Sequence, residues 1–132
     1  MTAVELLRAV DEALPTTLCI PPLPHIHKSH IVSLLELILI NNNFVFDNQH
    51  YNQCIGAAMG MTSSPEICDI RMFQLMIEIL DKYAYKDTIL WHGRYREDGI
   101  LFFNADQNQI HQLFDIANAH HPLLKFTNSI SS

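Results

Sequence analysis

The segment from Gly56 to Pro65 constrains the fold more than any other part of the chain. It places two of the chain's four glycines in a run of small residues (GAAMGMTSSP), which lets the backbone turn sharply and approach other groups closely. Ser64 is a preferred N-cap residue, and Pro65 fits the first helical position. The sequence therefore predicts a loop over this segment, followed by a helix that runs to about Tyr83.

Apolar periodicity and capping signals predict three further helices. Thr2 and Glu5 have capping-box spacing ahead of a first helix, and a second helix begins near Ser29 and ends at the asparagines that start at Asn41. A last helix is predicted over about residues 105–119. The predicted buried face of the second helix consists of Ile31, Leu34, Leu35 and Ile38. That of the helix after the small-residue loop consists of Ile70, Phe73, Ile77 and Leu80.

Short strands are predicted between the helices. Residues 44–46 and 51–53 flank a polar turn, which indicates a β-hairpin. Residues 89–91 and 100–103 are apolar segments on either side of a tight turn at 95–99, and a final strand is predicted at 123–126.

The order of these elements predicts the fold class. The proline-rich segment from Pro15 to Pro24 is predicted as an ordered loop. Helices and short strands otherwise alternate, which is typical of an α/β (α+β) domain in which helices pack on a small, mostly antiparallel sheet. We expect one such domain over residues 1–132.

Composition restricts the classes of function. The formal charge is -6, and the eight Lys and Arg residues are spread along the chain, which argues against strong autonomous binding to nucleic acid. The longest apolar run, residues 31–40, contains Ser33 and Glu36 and is too short to span a bilayer. The first fourteen residues have an amphipathic pattern rather than a secretory signal. We therefore expect no membrane association and an intracellular location, in the nucleus or the cytoplasm.

Metal binding through cysteine or histidine is disfavoured by spacing. The three cysteines lack CxxC spacing, which favours reduced, partly buried thiols. His25, His27 and His30 could ligate zinc, but no cysteine or carboxylate accompanies them at finger-like spacing.

Three blocks of residues between positions 43 and 127 contain recognisable motifs. The first, residues 43–65, is similar to an NxFxF hairpin, a YxQ triplet and a GTAMG loop that leads into a helix at Ser/Ala-Pro. The second, residues 94–98 (RYRED), is similar to RYxDD. The third, residues 118–127 (NAHHPLLKFT), is similar to NxxHPxxKFT. In this order and spacing, the three blocks resemble the reverse transcriptases of Penelope-like retroelements.

The resemblance implies a partial palm domain of an RNA-directed DNA polymerase. Glu97 and Asp98 would then be the catalytic carboxylates that bind Mg²⁺. The implied lining of the nucleotide pocket consists of Gln53, Gly56, Met59 and Gly60. Lys125 has two readings that remain open: a general acid for the pyrophosphate leaving group, or a solvated lysine on an edge strand.

Departures from the family pattern predict that this chain does not polymerise DNA alone. Glu97 replaces an aspartate, and its extra methylene moves the carboxylate by more than ~1 Å, which Mg²⁺ geometry tolerates poorly. In the family, a third carboxylate lies on a strand that would precede Met1, and fingers and thumb segments flank the palm. We therefore expect weak or lost Mg²⁺ binding and weak binding to an RNA template and DNA primer. The alternative is a non-catalytic interaction or scaffold domain co-opted from a retroelement, with a protein partner on the exposed palm face.

Overall fold

The computed structural model describes residues 1–20 and 23–131. Within them the fold class is α+β, as predicted, but the strands form three separate antiparallel hairpins rather than one sheet. The chain divides into two compact units, Met1–Met72 and Phe73–Ser132. The elements are α1 (Ala3–Ala13), β1 (Thr17–Ile20), β2 (Leu23–His27), α2 (Lys28–Ile40), β3 (Asn43–Phe46), β4 (Gln49–Asn52), α3 (Ser64–Lys82), a 3₁₀ turn (Lys86–Thr88), β5 (Ile89–Tyr95), β6 (Asp98–Phe103) and α4 (Gln107–His120).

Helix α1 begins at the predicted capping box. The Thr2 hydroxyl accepts from the Glu5 backbone N–H at 3.3 Å, and the Glu5 carboxylate accepts from the Thr2 N–H at 2.6 Å. These two bonds satisfy N–H groups that a helix start leaves without intrahelical partners. The helix buries Leu6 and Val10 in a cluster with Leu39 of α2 and Ile67 of α3.

Helix α2 has the predicted ends but a different buried face. It begins after His27 and ends at Asn41, yet Leu34 is 62% exposed and Ile38 is 43% exposed. The residues that reach the core of the first unit are instead Leu39 and, partly, Leu35. The prediction was wrong because α2 is apolar around most of its circumference, so periodicity alone cannot select the face that packs on α1.

The segment predicted as a proline-rich loop is partly a hairpin. Strand β1 pairs with β2 in antiparallel register, and Thr17 lies opposite His27. Pro21 and Pro22 lie outside the described residues. Both strands of a two-stranded sheet are edge strands, where proline is tolerated, so the proline content did not exclude strand structure.

In the second unit, the buried residues come from α3, α4 and the residue that follows each helix. Tyr83 is buried and donates its hydroxyl to the Gln109 carbonyl at 3.0 Å. Helix α3 ends close to the predicted position, but its predicted face was wrong, since Phe73 and Ile77 are exposed. The buried residues of this unit are Leu75, Ile79, Tyr83, Ile110, Leu113, Ala117 and His121.

The cysteines are free, and none of the described helices could cross a membrane. Cys19 and Cys54 are exposed, whereas Cys68 is half-buried. Burial raises the pKa of the Cys68 thiol, with a smaller contribution from the nearby Asp69 carboxylate. No helix within residues 1–20 and 23–131 has the length and apolar character of a membrane span.

Two leucines of α2 provide a matched test of this packing. We expect Leu39→Ala to lower the free energy of unfolding by about 2–5 kcal/mol, because it leaves a cavity in the core. Leu37→Ala should change it by less than about 0.5 kcal/mol. Leu39 is 3% exposed and Leu37 is 58% exposed. Urea unfolding followed by circular dichroism measures both, and equal losses would contradict the packing of α2.

Candidate functional site

The first part of the candidate site is the β3–β4 hairpin. The strands pair from Asn43 opposite Asn52 to Phe46 opposite Gln49, which confirms the predicted hairpin. A two-residue turn joins them, in which Asp47 and Asn48 both have positive φ, at 49° and 58°. Aspartate and asparagine tolerate this region better than other non-glycine residues. The hairpin delivers the chain to Gln53 and the loop that follows.

The Gln53 side chain holds this loop in shape. Its Nε2 donates to the Ile55 carbonyl at 2.8 Å, and its Oε1 accepts from Asn42 Nδ2 at 3.5 Å. The Gln53 backbone N–H also donates to the Asn42 carbonyl at 2.8 Å. Both ends of the amide are therefore engaged within the protein, which leaves one N–H and one oxygen lone pair of Gln53 for another partner.

Gly56 and Gly60 both have the left-handed backbone conformation. Gly56 has a φ of 81° and donates its N–H to the Met1 carbonyl at 2.8 Å. A β carbon on Gly56 would lie 3.4 Å from Gln53 Nε2, whereas one on Gly60, where φ is 88°, would have nothing within 4 Å. Backbone conformation thus favours glycine at both positions, and space around Gly60 remains open for another group.

The rest of the loop turns the chain into α3. Met59 is fully exposed, while Met61 packs partly against the core of the first unit. The Ser64 hydroxyl donates to the Ala58 carbonyl at 2.7 Å. Helix α3 begins at Ser64, so Ser64 is its first residue rather than the predicted N-cap. Its hydrogen bond to Ala58 ties the loop to the start of the helix. The predicted loop between hairpin and helix is confirmed.

The second part of the site is the turn between β5 and β6. The strands are longer than predicted, and Tyr95 pairs with Asp98 across a two-residue turn made by Arg96 and Glu97. Arg96 has a φ of 53°, and its carbonyl accepts from Arg94 Nη1 at 2.6 Å. The carboxylates of Glu97 and Asp98 therefore lie at an exposed turn between antiparallel strands, as predicted.

The two carboxylates are the predicted metal ligands. Mg²⁺ commonly binds through one or two carboxylates while it keeps several waters, and binding of Mg²⁺ by Glu97 and Asp98 stays a prediction. Within residues 1–20 and 23–131, no group of three or more His, Cys, Asp or Glu residues could hold a metal ion. The loop that contains Gly56 and Gly60 (the glycine loop) belongs to the first unit, and the turn that carries Glu97 and Asp98 (the carboxylate turn) belongs to the second. The resemblance implies that the two lie close together, and this stays a prediction.

The third block contains two hydrogen bonds between Asn118 and Phe126, which we call the clamp and which were not predicted from the sequence. The Asn118 side chain donates from Nδ2 to the Phe126 carbonyl at 3.1 Å and accepts from the Phe126 N–H at 2.6 Å. A carboxamide offers the same donor and acceptor as a peptide group, so Asn118 pairs with Phe126 as a neighbouring strand would. This explains why residues 123–126 are not a strand, contrary to the prediction. One sequence signal could have predicted these hydrogen bonds: an asparagine near the end of a helix, eight residues before an apolar position.

Two neighbouring residues support the clamp. Lys125 Nζ donates to the Asn118 carbonyl at 2.8 Å, so the lysine caps the end of α4, where a cation is favourable. Lys125 does not lie on an edge strand, which corrects that reading, while its general-acid role stays a prediction. Buried His121 accepts from the Leu123 N–H through Nδ1 at 3.2 Å and shapes the turn before the clamp.

The histidines near α2 have structural contacts. His27 Nδ1 accepts from the Ser29 backbone N–H at 3.3 Å and thereby caps α2. The His27 and His30 rings meet edge to face, with centroids 6.4 Å apart. These contacts give both histidines a structural role at the start of α2.

No protein-family model, curated protein sequence or solved structure matches this chain.

The clamp provides a test of the third block. We expect Asn118→Ala to abolish the hydrogen-exchange protection of the Phe126 amide, because it removes that amide's acceptor. The loss of both bonds should cost about 1–3 kcal/mol. Lys125→Met is the matched control, since it removes the helix cap but leaves the Asn118 pair intact. NMR-detected exchange distinguishes the variants, and a Phe126 amide still protected in Asn118→Ala would contradict the clamp.

Proposed function

We propose that this chain is a palm-domain segment derived from an RNA-directed DNA polymerase of the Penelope-like type, and that these residues alone do not catalyse polymerisation. The observation that supports this proposal is the hairpin of β3 and β4 followed by the glycine loop and α3. A second hairpin further along the chain presents Glu97 and Asp98 at its turn. These elements follow one another along the chain in the order that the family pattern implies.

The proposed lack of activity follows from counting ligands. Two-metal phosphoryl transfer needs carboxylates that hold two ions about 4 Å apart, one beside the attacking hydroxyl and one beside the leaving group. Glu97 and Asp98 are adjacent on one turn, and the first has the longer side chain. Two neighbouring carboxylates leave such an ion pair without a bridging ligand from a second strand.

The charge distribution also supports weak binding to nucleic acid. At the carboxylate turn, Arg94 and Arg96 are offset by Glu97 and Asp98. Arg96 lies over the Tyr95 ring, 5.8 Å from its centroid, and Arg94 is bonded to the Arg96 carbonyl. With a net charge of -6, the chain offers few cations to replace the counterions of a duplex.

A second candidate is a non-catalytic domain that binds another protein, and the β5–β6 hairpin favours it. Trp91 pairs with Phe102 in the sheet, and their ring centroids are 5.7 Å apart. Both are more than half exposed, as is Ile100. Gly93 makes room for the indole, because a β carbon there would lie 2.9 Å from Trp91 Cζ2. Exposed apolar faces of this kind commonly bind proteins.

Primer extension tests the polymerase proposal. We expect no extension of a primer on an RNA template by the chain itself with Mg²⁺ or Mn²⁺, of which Mn²⁺ is the more permissive metal. Glu97→Asp alone should not restore activity. Glu97→Asp fused to an upstream palm strand that contributes the third aspartate should give extension that Asp98→Ala abolishes. Extension by the unmodified chain, or inactivity of every fusion that folds, would overturn the proposal.

Nucleic-acid binding is a separate test. We expect fluorescence anisotropy to give a dissociation constant for primer-template no tighter than about 10⁻⁶ M at physiological salt, and affinity that falls further as salt rises. Replacing Glu97 and Asp98 by Gln and Asn should strengthen binding, because it removes negative charge at the turn. Trp91→Ala should leave it unchanged. Tight, salt-insensitive binding would contradict this reading.

A further inference from the structure

A hydrogen-bonded chain of three ionisable side chains lies at the ends of α3 and α4, and none of the three is a residue of the candidate site. Lys82 Nζ is 2.9 Å from His120 Nδ1, and His120 Nε2 is 2.7 Å from a carboxylate oxygen of Glu78. The His120 side chain is 9% exposed, whereas that of Glu78 is 45% exposed and Lys82 is exposed. Amine, imidazole and carboxylate therefore form one continuous chain, whose amine end reaches solvent.

The contacts of His120 determine the role of each nitrogen. The Glu78 carboxylate can only accept, so Nε2 carries the hydrogen of this bond. In the neutral imidazole, Nδ1 is then the acceptor for a proton of the Lys82 ammonium group. A nucleophile within hydrogen-bond reach of a base, which a third group orients, is the arrangement by which proteins activate weak nucleophiles.

We propose that Lys82 is a site of preferential acylation by thioesters and other activated acyl compounds, with His120 as its general base and Glu78 as a positioning residue. The amine nitrogen attacks the acyl carbonyl carbon, and the carbon–sulfur bond breaks. The departing sulfur leaves as a thiol. Of the three protons of the ammonium group, one stays on the amide, one is taken by the thiol and one passes through His120 to solvent. Atoms and charge balance without any further reactant.

The other lysines lack this environment. Lys28 is held by Asp11, whose carboxylate lies 3.1 Å and whose carbonyl 2.7 Å from Nζ. Lys125 donates to the Asn118 carbonyl. The side chain of Lys86 is exposed and makes no hydrogen bond or ion pair with the described part of the chain. Lys86 lies only four positions beyond Lys82, so it is a reference amine within the same molecule.

The competing explanation is that the three side chains only fasten α3 to α4. A hydrogen bond that only holds the two helices together would occupy the ammonium group and make the acylation of Lys82 slower than that of a free lysine. A base makes it faster. The ratio of the Lys82 and Lys86 acylation rates in one sample therefore separates the two explanations and needs no measurement of absolute rates.

The experiment is acetylation of the folded full chain by acetyl-coenzyme A, with site-resolved quantification by tandem mass spectrometry. We expect Lys82 to react at least about ten times faster than Lys86, the lower end of what a positioned base contributes. His120→Gln should reduce that ratio to about one while the Lys86 rate is unchanged. Glu78→Gln should reduce it partly, because an amide can still accept from Nε2. In urea the ratio for the unmodified chain should also fall to about one.

Stability measurements keep the result interpretable. If His120→Gln unfolds the chain, Glu78→Gln, which alters a half-exposed side chain, still tests the orienting role. A Lys82 rate equal to or below that of Lys86 in the folded chain would overturn the proposal. So would a ratio that survives in folded His120→Gln.

Discussion

The burial of Leu6 and Val10 against Leu39 and Ile67 is the contact on which the first unit depends. These four residues come from α1, α2 and α3, so one small core joins all three helices. Ala57 and Met61 of the glycine loop pack against the same core, and the Gly56 N–H is bonded to the Met1 carbonyl. The shape of the glycine loop therefore depends on the packing of α1, a helix that contributes no residue to the candidate site.

Features that depend on neighbouring residues could be predicted from the sequence, whereas features that depend on tertiary contacts could not. The capping box at Thr2 is local, and α1 begins beside it as predicted. The predicted buried faces of α2 and α3 were wrong, because both helices have apolar residues on more than one side. Residues 123–126 have strand-like composition, but the Asn118 amide satisfies the Phe126 backbone, and no strand pairing replaces it.

The candidate site shows the same division. The hairpins, the glycine loop and the carboxylate turn are local features, and their predicted positions along the chain are confirmed. The role of Gln53 was not predictable in the same way, because its amide bonds to Asn42, eleven positions earlier, as well as to Ile55.

The exposed apolar side chains bear on what these elements bind. Leu34 and Leu37 of α2 are exposed, as are Trp91 and Phe102 on β5 and β6. A phosphate backbone would cover such surfaces poorly, since it requires cations, and the chain has a net charge of -6. Apolar faces gain most from other apolar groups, at about 25 cal/mol per Å² removed from water. Under both the polymerase and the scaffold proposals, we therefore expect protein, rather than nucleic acid, to cover these faces.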